Sequence, residues 1–424
     1  MAKTRSGAAA LVAVAGLLAV AGCTSSSSPN QSQGDGTVTG TVTLWHLDDP
    51  RPEFLQAVKE GFEQKYPGTT VELTEVPEEG YVTKIDTAIL AQQPPDVGFI
   101  YEPRWIKAGS VVALDDTIAE YDVNVDSFNK VAMSPCVVDG KYYCVGSLTG
   151  SVVLVYNKTL FDEAGIAYPP ADRSLSIDEY ADLARELHSA LGKYGAATGA
   201  PYWWSARQTH FDDDGRTIAG YVDDAATLHA YDVLAKLIQD KVGPSPSESE
   251  LVSPADMLGA GDVAMAVTDM EYAANTLEAA GFAWGAAPSP IEATGDDAYS
   301  FVGTDQYGAF ANSANPVAAR ALVAYIANEG SRLRVEVGDQ PPLDSTLFDQ
   351  WAGENPGRQD VVTVMSLPSR PGIFVPGFWE VTAALEDIFG QMANGDADSS
   401  AITNEAPNLQ DKLDREWETW EAIG

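Results

Sequence analysis

Apolar and polar positions follow two periods along this chain. Residues 41–45 (Thr-Val-Thr-Leu-Trp) alternate with period two and predict a strand. Residues 52–66 place Phe54, Leu55, Val58 and Phe62 at helical spacing and stop at Pro67-Gly68, so an amphipathic helix is expected there. A second strand follows over 71–76 and a helix around 81–90, and residues 96–100 (Asp-Val-Gly-Phe-Ile) form a short apolar run of the buried-strand type. Farther on, Ser176 and Glu179 have the spacing of a capping box, opening a helix whose apolar face is Tyr180, Leu183, Leu187 and Leu191. Residues 263–267 predict another strand, and Pro316, in the first turn after Asn315, opens a helix through Ile326. Strand and helix alternate, which predicts an α/β protein with mainly parallel sheets.

The first forty residues do not share this rhythm. Lys3 and Arg5 precede an uncharged apolar run over 7–22, which reads as an export signal. The run falls short of the roughly 20 apolar residues a membrane span needs. Val20-Ala21-Gly22-Cys23 resembles the bacterial lipobox, in which small residues fit the signal peptidase and the thiol takes a diacylglycerol. Residues 1–22 are therefore expected to be a lipoprotein signal peptide. The mature protein would begin at Cys23, anchored by lipid on the extracellular or periplasmic face of a bacterial membrane. Residues 23–40 are rich in Ser, Gly, Thr, Asn and Gln and predict a flexible tether. The roughly 380 residues beyond are too many for one compact core and suit two lobes.

Charge narrows the partners. With 62 Asp and Glu against 25 Lys and Arg, the net charge is -37, which argues against nucleic acid, whose phosphates call for clustered cations. The acids read as a solvated surface that keeps the protein soluble. His46, His188, His210 and His229 are scattered without metal-ligand spacing, so no metal or cofactor is expected. Residues 212–215 (Asp-Asp-Asp-Gly) lack the spacing of a calcium loop and read as a turn. Cys136 and Cys144 flank a hairpin with turn chemistry at Asp139-Gly140, and outside the cytoplasm they are expected to form a disulfide. A two-residue turn would set Cys136 opposite Tyr143, so pairing with Cys144 is expected to need a three-residue turn or a bulge.

The segment Asp139-Gly140-Lys141-Tyr142-Tyr143, followed over 154–166 by Leu-Val-Tyr-Asn-Lys-Thr-Leu-Phe-Asp-Glu-Ala-Gly-Ile, resembles a signature of the bacterial solute-binding proteins of the maltose-binding type. These are the carbohydrate receptors of ABC importers. Gly261-Asp262-Val263-Ala264-Met265 is similar to a second stretch of that family, and Phe301-Val302-Gly303 to its return crossing. The resemblance implies a periplasmic-binding-protein-like fold, with two α/β lobes, a hinge of crossing segments and a ligand in the cleft between lobes. It places the first lobe at 41–148 plus 304–328 and the second at 151–303 plus 332–424. Crossings are expected near 148–151, 303–306 and 328–332.

A sugar site needs flat apolar faces for the ring and polar acceptors for its hydroxyls. By resemblance, Trp45, His46, Asp48 and Asp49 at the first strand end are candidates. So is the loop Tyr202-Trp203-Trp204, where a stacking aromatic is implied and the pattern does not choose between the two Trp residues. Phe378 and Trp379 fall where the family places a stacking Trp before a helix. Asp269 and Glu271 stand where relatives have an aromatic, which departs from maltose specificity. Tyr101 and Glu102 follow a strand and Asp305 follows a crossing, completing the candidate set.

The expected function is capture of a carbohydrate, an oligosaccharide, and its delivery to ABC importer permease subunits, by a monomer without catalysis. One competing reading is a receptor for a glycerophosphodiester, which would want cations where these strand ends are acidic. The other is a secreted glycosidase, for which no carboxylate pair stands out. No phosphate-binding loop occurs, so ATP hydrolysis belongs to another subunit.

Overall fold

The computed structural model describes residues 37–47, 52–197, 199–200, 210–212, 214–291, 300–338, 340–371 and 375–423. The expected signal peptide, Cys23 and most of the tether lie outside these residues. Val38–Gly424 is one compact unit that contains all the described cores.

In chain order the first part comprises β1 (Gly40–Leu47), α1 (Glu53–Lys65), β2 (Thr69–Val76), α2 (Glu78–Leu90), β3 (Val97–Phe99), α3 (Pro103–Lys107), α4 (Asp115–Glu120), β4 (Val137–Val138) and β5 (Lys141–Tyr142). There follow β6 (Gly150–Asn157), α5 (Lys158–Ala164), α6 (Ile177–Leu191), β7 (Tyr194–Ala197), α7 (Ala225–Gln239), α8 (Pro246–Leu251), α9 (Pro254–Ala260), β8 (Val263–Asp269), α10 (Met270–Ala279), β9 (Trp284–Pro288) and β10 (Ser300–Gly303). The remainder is β11 (Tyr307–Ala309), α11 (Pro316–Val337), α12 (Phe348–Ala352), α13 (Pro356–Met365), β12 (Ser369–Pro371), α14 (Phe378–Asn394) and α15 (Ser400–Ala422).

The first sheet has the order β11-β3-β1-β2, with β1 parallel to both β2 and β3. Along β1, Val42, Leu44 and His46 are buried and the residues between them half-buried, as an alternating strand over a core requires. Helix α1 buries Phe54, Leu55, Val58 and Phe62, the stripe its spacing predicts. The second sheet has the order β12-β10-β6-β8-β7, and β9 also pairs with β6. Every residue of β6 is buried, because both faces are covered. Leu154 and Tyr156 join a core with Tyr180, Leu234 and Leu385, while Val153 and Val155 join another with Leu258, Trp284 and Val361. Ser176 and Glu179 close the predicted capping box on α6.

Both sheets are mixed: the first is mainly parallel, as expected, with one antiparallel edge strand, whereas the second corrects the expectation, its central strand being antiparallel to every neighbour. Strand β6 is antiparallel to β8, β9 and β10, and β11 is antiparallel to β3. The reason is the passage between lobes. The chain enters the second lobe along β6 and leaves it along β10, side by side with Gly150 opposite Gly303, so the two must run in opposite senses.

The hairpin also differs from expectation. Asp139 and Gly140 both have positive φ, 49° and 75°, and form a two-residue turn with Val138 opposite Lys141. The disulfide Cys136–Cys144 forms without a bulge, at a Cα–Cα distance of 4.9 Å. Cys136 sits in a 3-10 turn before β4, and Cys144 lies beyond β5, so neither is held to strand geometry.

Helix α11 runs past Ile326 to Val337, where Gly338 caps it in the left-handed region. Residues 328–332 are therefore interior to a helix and not a crossing. The third passage lies beyond it, where the Thr149 N–H donates to the Pro341 carbonyl at 2.8 Å and Leu148 bridges Pro342.

The passages meet on Asp305, which is 6% exposed. Its carboxylate accepts from the Ser147 N–H at 2.6 Å, the Leu148 N–H at 3.3 Å, the Ser147 hydroxyl and Arg334 Nη2 at 3.2 Å. Arg334 Nε also donates to Ser147 Oγ at 3.1 Å, and its guanidinium carbon lies 3.4 Å from the Phe54 ring centroid. Ser331 Oγ and the Leu343 N–H both donate to the Ser147 carbonyl, at 3.3 and 3.0 Å. Removing one member of a buried ion pair leaves the other charge without compensation. Arg334→Met should therefore lower the unfolding free energy by about 3–5 kcal/mol in urea titration. A loss below about 1 kcal/mol would contradict the assignment.

Candidate functional site

A cavity of about 310 Å³ lies between the lobes, within the size range of small-molecule sites. The first lobe supplies Tyr101, Glu102, Pro103 and Arg104. Their position follows from local sequence, because Glu102 is the N-cap and Pro103 the first residue of α3, directly after β3. The cavity therefore stands at the carboxyl end of a parallel strand. The second lobe supplies residues 375–380 and, from α15 and just beyond it, Glu416, Thr419, Trp420 and Ile423. Gly377 turns the chain into α14 at a φ of +81°, and a Cβ there would lie 3.1 Å from Leu413 of α15. This close turn brings Phe378 and Trp379 to the cleft.

Aromatic rings join the two sides. Tyr101 and Trp379 lie 6.2 Å apart between centroids at 39°, and Trp379 meets Phe378 edge-on at 5.0 Å. Phe378 stacks on Phe211 at 5.9 Å. The Tyr101 hydroxyl donates to Glu78 at 3.0 Å, which fixes the ring. Glu102 accepts from Arg104 Nε at 3.2 Å, and Arg104 Nη2 donates to Asp86 at 2.8 Å. Burial holds the Glu102 carboxyl above the usual carboxylate range; Arg104 opposes this, while Asp86 and Glu380 add repulsion. The arrangement offers flat apolar faces beside a partly desolvated acceptor.

Of the predicted residues, Tyr101, Glu102, Phe378 and Trp379 come together in this cavity. Trp45 is half-buried at the end of β1 with Lys84 Nζ 4.5 Å from its ring centroid. His46 points to the opposite, core side of that strand with Val42 and Leu44, and its Nδ1 lies 2.7 Å from the Leu47 carbonyl oxygen. It does not line the cavity. Asp305 does not either, being enclosed in the hinge network. Asp269 is half-buried at the end of β8 opposite Val152 and is not a lining residue. Asp48, Asp49, Tyr202, Trp203 and Trp204, and the side chain of Glu271, lie outside the described residues.

The sequence reading missed Arg104, Glu380 and the α15 residues. The aromatic pair Trp417 and Trp420, spaced i,i+3, was the available signal. Of the acidic stretch, Asp213 lies outside the described residues; the Gly215 N–H donates to the Asp212 carbonyl at 3.0 Å, and the Asp212 carboxylate accepts from the Arg216 and Thr217 N–H groups at 2.7 and 3.0 Å. Among the described residues no group of three His, Cys, Asp or Glu is arranged to hold a metal.

Two α/β lobes, joined by repeated passages and enclosing a cavity, define a two-lobe binding protein. Residues 48–332 match the family model of the bacterial extracellular solute-binding proteins, and the chain belongs to that family. It is similar to the diacetylchitobiose binding protein DasA of Streptomyces coelicolor, at 31% identity over 39% of each chain. That match spans about two fifths of the relative's length. The maltodextrin-binding protein MdxE of Bacillus subtilis is 22% identical over 92% of this chain and 93% of its own. Among solved structures, the substrate-binding protein Lmo0181 of Listeria monocytogenes, in complex with cycloalternan, superposes with a TM-score of 0.78 at 21% identity, covering 90% of this chain and 99% of that one. The GacH receptor of Streptomyces glaucescens, solved unliganded and with acarbose, gives 0.73 at 22% identity, covering 89% and 98%. At these identities the structures show the fold.

His210, next to the Phe211 that stacks on Phe378, is buried with Nε2 3.2 Å from the Tyr231 hydroxyl. Burial lowers its pKa to about 3. A group depressed in the folded state contributes stability that is present above its unfolded pKa and is lost as pH falls. Between pH 7 and 4.5 the stability advantage of the wild type over His210→Gln should shrink by roughly 2–3 kcal/mol in denaturant titrations. A constant difference across that range would show that His210 takes up its proton in the folded protein.

Proposed function

We propose that this protein captures a carbohydrate, specifically an oligosaccharide, between its lobes and delivers it to the permease subunits of an ABC importer. The observation that carries the reading is the pairing, across the cleft, of the Tyr101 and Trp379 rings beside Glu102. Aromatic faces pack against the C–H faces of sugar rings, and a buried carboxylate repays its desolvation when hydroxyls donate to it. Glu102, Glu380 and Glu416 outnumber Arg104, which already serves Glu102 and Asp86. A phosphodiester would meet unfavourable charge there, whereas a neutral or amino sugar would not. DasA and MdxE, named for diacetylchitobiose and maltodextrin, support the same class.

The protein works as a monomer and binds without hydrolysing. A lipid at Cys23 and the tether behind it raise its local concentration at the importer. Cys23→Ala should move it from the membrane to the soluble fraction of the producing cells; continued sedimentation with membranes would remove the anchor from the account.

Residues 38–424, which hold every described core, suit ligand screening by thermal shift. Diacetylchitobiose or maltotriose at about 100 times its dissociation constant should add roughly 2.7 kcal/mol of stability. Trp379→Ala should weaken that binding about ten-fold or more without altering the fold by circular dichroism. Unchanged affinity in this variant would remove Trp379 from the site, and release of shorter sugars from the stabilising ligand would indicate a glycosidase.

A further inference from the structure

The end of α15 is anchored in a way that the sugar site alone does not explain. Trp417 Nε1 donates to the Gly215 carbonyl at 2.9 Å, and the Arg216 guanidinium carbon lies 4.0 Å from the Trp417 ring centroid. Arg216 also pairs with Glu421 at 2.9 Å, and Gln410 both accepts from the Ile218 N–H and donates to the Arg216 carbonyl, at 2.9 and 2.8 Å. The turn at Asp212 therefore clamps α15 to the second lobe on one side. On the other side the helix reaches the first lobe. Lys107, exposed at the end of α3, donates through Nζ to the Trp420 carbonyl, and its ammonium stands 5.0 Å from the Trp420 ring centroid. Trp420 itself lines the cavity and lies 6.4 Å from Trp417, edge to face.

We propose that Trp420 is a wall of the solute cavity and that Lys107 is its positioning partner, so that the end of α15 latches the closed cleft. This rests on the reading that the cavity between Tyr101 and Trp379 holds the solute, whatever its chemical class. The contact spans the cleft, so it exists only when the lobes are together. Its free energy therefore adds to the closed state and not to the open one. A ligand that needs the closed state binds more tightly in proportion to how often that state is already populated. The exposed ammonium over an indole face, with one charge-assisted hydrogen bond, is a modest contact suited to bias closure without freezing it.

The test uses residues 38–424 carrying probe pairs at Leu90→Cys and Leu251→Cys, positions 85% exposed on the first and second lobes. Interlobe distance distributions are recorded without ligand by single-molecule energy transfer. Lys107→Met keeps the aliphatic stem and should lower the closed-to-open ratio about five-fold, as should Trp420→Ala, while Lys107→Arg should leave it near wild type. Unchanged distributions in both Lys107→Met and Trp420→Ala would overturn the latch. Titration with diacetylchitobiose and maltotriose then separates the two roles. Trp420→Ala should raise the dissociation constant more than Lys107→Met, because it removes a wall as well as the latch. Equal effects would leave Trp420 as latch only and overturn its assignment as a wall. If neither sugar binds the wild type, the carbohydrate reading fails, and the distance measurement still decides the latch.

Discussion

The buried pair of Asp305 and Arg334 is the constraint on which the two-lobed body depends. A carboxylate removed from water needs its oxygens occupied, and here the donors come from two other parts of the chain, Ser147 and Leu148 on one and Arg334 on the other. One charge thereby gathers the passages between the lobes at a single point. The Ser147 carbonyl extends the tie to Ser331 and Leu343. The passages are thereby held together at one buried point between the two sheets.

With the hinge fixed, the site follows from where the strands and helices end. The carboxyl end of β3 delivers Tyr101 and Glu102, and the left-handed turn at Gly377 delivers Phe378 and Trp379. Neither lobe has a complete site alone. The aromatic faces belong to both, so in the proposed reading a ligand held by them would favour the closed arrangement to the extent that it contacts both lobes at once.

Much of the fold was legible in the sequence, because α1, β1 and α6 each bury one face more deeply than the other, and the period shows directly. Strand β6 was not predicted, since a strand buried on both faces has no alternation to read. The length of α11 was misread for an instructive reason. Asn328, Glu329, Gly330 and Ser331 look like a helix end, yet Gly330 is where the helix passes Ser147, and a Cβ there would come within 2.7 Å of the Ser147 Cβ. Ser331 supplies a hydroxyl to the hinge. These residues break the helical pattern because the hinge needs them. The place of Asp305 in the network was not legible for a similar reason: its partner Ser147 is 158 positions away, and nothing local distinguishes an acid that binds a ligand from one that ties chain segments together. His46 faces the core by the same alternation that predicts β1. Trp420 comes from the last helix, outside every stretch that carries the family resemblance.

The proposed reading sets a sugar in the cavity lined by Tyr101, Glu102 and Trp379. A crystal structure of residues 38–424 grown with the oligosaccharide that stabilises them tests this most directly. A sugar ring is expected against Trp379, within the closed cleft, with a hydroxyl in hydrogen-bonding reach of Glu102. A sugar bound elsewhere on the molecule, with the cleft free of it, would rule out this site.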